Sequence, residues 1–170
     1  MQIQQPFMTR QLLLSQFDKL LPLATNWAAA VERRILREGV PLSEQGLADA
    51  RSLGVCKPER VRLLGLDSVP TPTDLTLKTA VAAIQFLTPA TRGLALRYGI
   101  FVRSDCWGER RLIAHELVHT AQYERLGGIE AFLRQYLLDC GTVGYNKSTL
   151  EREAVAMATH VLERTAIVRG

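Results

Sequence analysis

The stretch His115-Glu116-Leu117-Val118-His119 constrains this chain more than any other. Residues four apart on a helix stand one above the other on the same face, so histidines at that spacing aim both imidazoles at one point. The glutamate next to the first lies about 100° further round, within reach of a water held at that point but clear of the point itself. Two of the three histidines in the chain fall in this stretch. The spacing predicts a helix from Glu109 to Leu126, closed by Gly127-Gly128 and apolar nearly all round, which makes it the buried central helix. Burying two imidazoles and a carboxylate is costly unless something compensates their desolvation. A metal ion does so, and the competing reading is a hydrogen-bonded histidine pair in the core. His115 and His119 are therefore candidate zinc ligands, and Glu116 is the candidate general base.

A catalytic zinc usually takes three protein ligands and keeps one open position. Downstream, Ser148-Thr-Leu-Glu-Arg-Glu-Ala154 opens a helix predicted over Thr149 to Val168 and offers Glu151 and Glu153. At about 100° per residue, Glu151 lines up with Ala154, Val155, Ala158 and Leu162 on the apolar face, whereas Glu153 points away with His160 and Arg164. An inward carboxylate is accounted for if it binds the ion. Two other readings stand beside it: Ser148 and Glu151 also form a capping-box pattern, and Glu153 could be the ligand instead. Upstream, Cys106 could be considered, as peptide deformylases pair a cysteine with such a helix, but the Glu-Gly-Cys context of that family is absent around Asp105-Cys106-Trp107.

With those residues in view, the chain resembles the gluzincin zinc metallopeptidases, whose third ligand is a glutamate on a later helix. More closely, His115-Glu-Leu-Val-His-Thr-Ala-Gln122 with Leu150-Glu-Arg-Glu-Ala154 is similar to an uncharacterised bacterial domain of metallopeptidase type, over roughly the second half of the chain. The resemblance implies a zincin-like α+β fold, mostly helical, with the motif helix at its centre and a small β-sheet. It implies a zinc metallopeptidase with His115, His119 and Glu151 on the metal. Where related proteins often have an aspartate supporting a zinc-bound histidine, this chain has Val155. Losing such a carboxylate typically costs about 10-fold to 100-fold in affinity or activity, so either another group supplies the contact or catalysis is weak.

The expected chemistry is amide hydrolysis: zinc polarises the scissile carbonyl and lowers the pKa of its water, and Glu116 takes the water proton and passes it to the leaving amine. Tyr145 could stabilise an oxyanion or simply pack, and Gln122, one turn after His119, either touches substrate or supports the helix. The alternative of another class is a zinc-stabilised, non-enzymatic interaction module in which the same ligands only hold helices together.

The remaining sequence suggests how the site is carried. Helices are predicted over Thr9 to Leu21 and Asn26 to Glu38, separated by Pro22 and closed by Gly39, and a third starts at Ser43 and ends at Gly54 with Leu47, Ala50 and Leu53 inward. A strand is expected from Arg60 to Val69, stopped by Pro70-Thr-Pro72, then a helix from Leu75 to Leu87. Leu94, Leu96, Tyr98, Ile100 and Val102 alternate with other residues in the period of two of a single strand, which the resemblance places at the cleft rim with an edge free for an extended peptide. A helix over Ile129 to Asp139 precedes the loop containing Tyr145. With 170 residues and no linker-like stretch, one domain is expected, residues 1–58 forming a helical part and 59–170 the catalytic core.

Composition excludes several classes. Hydrophobic residues make up 47% and charged residues 22%, as in globular chains. The net charge of +4 comes from arginines scattered among acids, without the basic run and aromatic platforms of a nucleic-acid surface. Cys56, Cys106 and Cys140 are an odd number with no close pair, expected to be buried free thiols. No apolar run approaches the roughly 20 residues of a membrane span and no export signal is recognisable, so a cytoplasmic protein is expected; the resemblance implies a peptide or protein as its substrate.

Overall fold

The computed structural model describes residues 14–83, 86–144 and 147–168. Its first long element is α1, Phe17–Glu38, one continuous helix where the sequence predicts two; residues before Leu14 lie outside the described part. Pro22 sits inside α1, yet the bond its missing N–H forfeits is the one to the carbonyl of Asp18 in the exposed first turn, where water can replace it. The apolar spacing then runs through: Phe17, Leu21, Ala24, Ala28 and Ile35 are buried along one face, with Glu32 among them.

Gly39 ends α1 and leads into β1, Val40–Pro41. A Cβ there would lie 2.6 Å from the Ile35 carbonyl oxygen and 2.7 Å from that of Leu63, and backbone cannot swing aside as a side chain can. Gly39→Ala is therefore expected to destabilise the protein by about 2 kcal/mol, read as a lowered urea midpoint; an unchanged midpoint would show that the end of α1 is not tightly seated against the backbone of Leu63. Helix α2, Glu44–Ser52, starts as predicted on Ser43, whose hydroxyl accepts from the Gly46 amide at 3.1 Å. Ala50 and Leu53 are buried and Leu47 half-buried, and Gly54 follows in the left-handed conformation.

A short 3-10 turn, Pro58–Arg60, precedes β2, Arg62–Leu66, shorter than the strand expected. Helix α3 covers Leu75–Ala83, and the chain re-enters the sheet as β3, Gly93–Leu96, and β4, Gly99–Arg103. The predicted single strand is thus a hairpin. Arg97 takes φ 59, a left-handed conformation that a non-glycine residue adopts at a cost, and the turn is tied down from two sides. Its guanidinium grips both oxygens of buried Glu32 at 2.9 and 2.8 Å, and its carbonyl accepts the Thr120 hydroxyl at 2.7 Å.

The four strands form a mixed sheet in the order β1-β2-β4-β3. β1 runs antiparallel to β2 and β3 antiparallel to β4, while β2 and β4 are parallel with Leu64 opposite Phe101. That leaves β3 at one edge. Ile100, Phe101 and Val102 of β4 are fully buried at the heart of the core.

The remaining helices are α4, Arg110–Leu126, α5, Ile129–Val143, and α6, Thr149–Val168. α4 packs between β3 and α6, and from Ala114 to Tyr123 it is buried almost throughout. Its start is fixed by α2, since Arg110 makes two hydrogen bonds of 2.8 and 2.7 Å to buried Asp49. Its end is fixed by Gly127 at φ 99, with the Gly128 amide bonded to the Tyr123 carbonyl at 2.9 Å, and Gly128 at φ 124 turns the chain directly into α5. The fold is mostly helical with a small sheet, an α+β arrangement.

Candidate metal centre

α4 brings His115 and His119 together because they occupy successive turns of one face, and α6 lays Glu151 across them. His119 Nε2 lies 3.1 Å from His115 Nε2 and 3.2 Å from Glu151 Oε1, and His115 Nε2 lies 3.3 Å from Glu151 Oε2. Glu151 and His119 are buried, and His115 is half-buried. Among the described residues these three are the group of side chains whose donor atoms, all within 4.8 Å of one another, could hold a metal ion.

Glu151 does not serve as a helix cap. Its carboxylate accepts the hydroxyl of Tyr136, on α5, at 2.6 Å, and the Ser148 hydroxyl has no hydrogen-bond partner among the described residues. Asp139 does the capping: it accepts the Thr149 amide at 3.3 Å and the Thr149 hydroxyl at 2.7 Å. Tyr136 was invisible as a motif, though a signal existed. It shares the inward face of α5 with Ile129, Phe132, Leu133, Leu137 and Cys140, and a tyrosine on such a face must find a partner for its hydroxyl.

The orientation of α6 differs from the predicted phase by a part-turn. Leu150, Glu151, Ala154 and Ala158 are buried, while Val155 is 56% exposed. The inward direction falls between Leu150 and Glu151, so Val155 drops over the edge and Glu153, expected to point away, comes onto the α4 side. Glu153 is not among the clustered ligands; it accepts the Gln122 amide at 2.8 Å and two bonds from Arg125, both 2.8 Å. Gln122 is fully buried, and its Oε1 lies 2.8 Å from His119 Nδ1. The second ring nitrogen of His119 thus finds its partner on α4 itself. His160 is exposed, Cys106 lies apart against Arg92 with Nε 3.2 Å from its sulfur, and Tyr145 falls outside the described residues. Cys106 and Cys140 are buried as expected, but Cys56 is exposed.

Glu116 lines the same cavity as the three clustered side chains. The cavity, about 390 Å³, is walled by Phe86, Leu94, Leu112 and Phe132. Gly93 on the edge strand makes room for Glu116: a Cβ there would stand 2.6 Å from its Oε1. Burial pushes the Glu116 carboxyl above the ordinary carboxylate range, although the His119 and His115 charges and the Ala95 backbone pull the other way. Burial also works to raise Glu151, but hydrogen bonds from His115, His119 and Tyr136 outweigh it and hold this carboxyl well below the usual range. For His119 burial favours the neutral ring, and the Glu151 hydrogen bond with the Glu116 and Glu151 charges reverses the sign, so its pKa rises. Two carboxyls in one cavity are driven apart: one is a ready anion beside the imidazoles, the other a more basic group next to them.

No family model, no curated protein and no solved structure matches the chain. No helix among the described residues is long and apolar enough to cross a membrane.

Proposed function

We propose that this chain is a zinc-dependent metallohydrolase with a zincin-like fold, and within that class a metallopeptidase. The observation that carries the reading is the meeting of His115, His119 and Glu151 at separations of 3.1 to 3.3 Å with Glu116 in the same cavity. Ligand atoms about 2.0–2.1 Å from a tetrahedral zinc stand about 3.3 Å apart, so the two imidazole nitrogens and the carboxylate fit such an ion with little movement. A bound zinc supplies Lewis acidity, polarising a carbonyl and making water easier to deprotonate. Glu116 takes the water proton and delivers it to the leaving amine, and its raised pKa brings it nearer to the working range of a base at neutral pH.

The cavity supports catalysis over a purely structural site, since a closed four-ligand cage would need neither the space nor the base. Its rim supports a peptide as substrate. β3 is an edge strand whose Gly93, Leu94 and Ala95 line the cavity, a position from which an extended chain pairs by main-chain hydrogen bonds. Phe86, Leu112 and Phe132 offer an apolar wall to one of its side chains.

The test is metal analysis with hydrolysis of a quenched-fluorescent peptide library. One zinc per chain and cleavage that a chelator abolishes and zinc restores are expected. Zinc uptake without cleavage of any peptide would reduce the protein to a zinc-stabilised interaction module, and no uptake would remove the centre altogether. Gly93→Ala is expected to keep the zinc and lose about 10-fold to 100-fold in kcat/KM, because the new methyl group pushes the Glu116 carboxylate aside. Equal kinetics would mean that Glu116 need not sit against β3.

A further inference from the structure

We infer that Gln122 is the positioning residue of the proposed metal centre, fixing both the proton on His119 and the seat of the helix that brings Glu151. This rests on the zinc reading above and adds a residue to it.

An amide side chain can be turned either way, and its neighbours decide which end is which. Here they leave no choice. One end of the Gln122 amide faces the Leu150 carbonyl at 3.0 Å and the Glu153 carboxylate at 2.8 Å, and both are acceptors. That end must be the NH2 group, so the oxygen faces His119 Nδ1 at 2.8 Å. An oxygen there accepts, and Nδ1 must therefore carry the proton. In the neutral imidazole the lone pair is then on Nε2, the nitrogen that meets His115 and Glu151.

The chain of donors is anchored at its far end. Arg125 donates twice to Glu153, at 2.8 Å to each oxygen, and a carboxylate paired in this way is an acceptor. Gln122 is 0% exposed, which denies water a share in the contact. Its two acceptors flank Glu151 in sequence, Leu150 before it and Glu153 after it. The same amide that orients His119 thus sets the register of α6 against α4, and a neutral group does here what a carboxylate beside a histidine commonly does.

The experiment compares zinc dissociation constants, measured by chelator competition, with melting temperatures of the metal-free proteins for wild type and Gln122→Leu. Gln122→Leu is expected to bind zinc about 10-fold to 100-fold more weakly. Zinc affinity unchanged in Gln122→Leu overturns the inference. Should Gln122→Leu not fold, ring-nitrogen NMR of zinc-loaded wild type decides: a proton on Nδ1 of His119 supports the assignment, and one on Nε2 overturns it. Wild-type protein that takes up no zinc overturns the metal centre, an outcome seen before any variant is made.

Discussion

Glu116→Gln is expected to bind one zinc as wild type does and to lose about 10³-fold to 10⁴-fold in kcat/KM for peptide cleavage. Glutamine keeps the shape and the contact with the edge strand but has no site for the water proton. The side chain is 5% exposed and lies against Gly93, so bulk water offers little substitute for the missing base. Zinc content measured beside kinetics separates this outcome from loss of metal. A variant that still turned over at the wild-type rate would take Glu116 out of the mechanism.

Arg97→Ala should be the most damaging single change away from the site, lowering stability by about 3 kcal/mol in urea unfolding. The Glu32 side chain is 2% exposed and has two partners there, the Arg97 guanidinium and the Tyr98 amide at 3.1 Å. Removing the cation strands a buried carboxylate in the middle of α1, which can recover only by taking up a proton or admitting water. The paired variant E32M/R97M is expected to cost less than Arg97→Ala alone, since it removes the stranded charge along with its partner. If the single variant lost under about 1 kcal/mol, the pair would have to be reclassified with ordinary surface contacts.

How much of this was legible in the sequence depended on whether the signal was local. The motif spacing placed both imidazoles, Gly127 marked the end of α4, and the run from Thr149 to Val168 fell on the bounds of α6. Glu151 could be assigned inward because Ala154, Val155, Ala158 and Leu162, its neighbours at helical spacing, are apolar, although Val155 itself turns out 56% exposed. The hairpin could not be read, because Leu94 to Val102 alternates without a break and the left-handed position is held by Arg97, not by the glycine or asparagine that usually announces such a turn. What stabilises Arg97 there comes from Glu32 and Thr120, 65 and 23 residues away in the chain. Pro22 misled for the converse reason, a strong local breaker placed where only a first-turn carbonyl is forfeited. Glu153 was expected to face away because the direction a helix faces within its apolar arc is set by its neighbours, and a part-turn decides between solvent and the contact with Gln122.

The three clustered side chains also divide by origin. His115 and His119 are neighbours wherever α4 is helical, but Glu151 reaches them only after α5 has folded back and α6 has docked. On the zinc reading, a chain with α4 formed and α6 loose would present a bare two-nitrogen chelate, open to weak occupation by any divalent ion with a taste for imidazole. Arrival of the anionic oxygen would add charge and complete the three-sided seat, so selective capture would wait for tertiary structure. α6 would then act as a latch, with the ion held tightly by a finished molecule and poorly by an immature one.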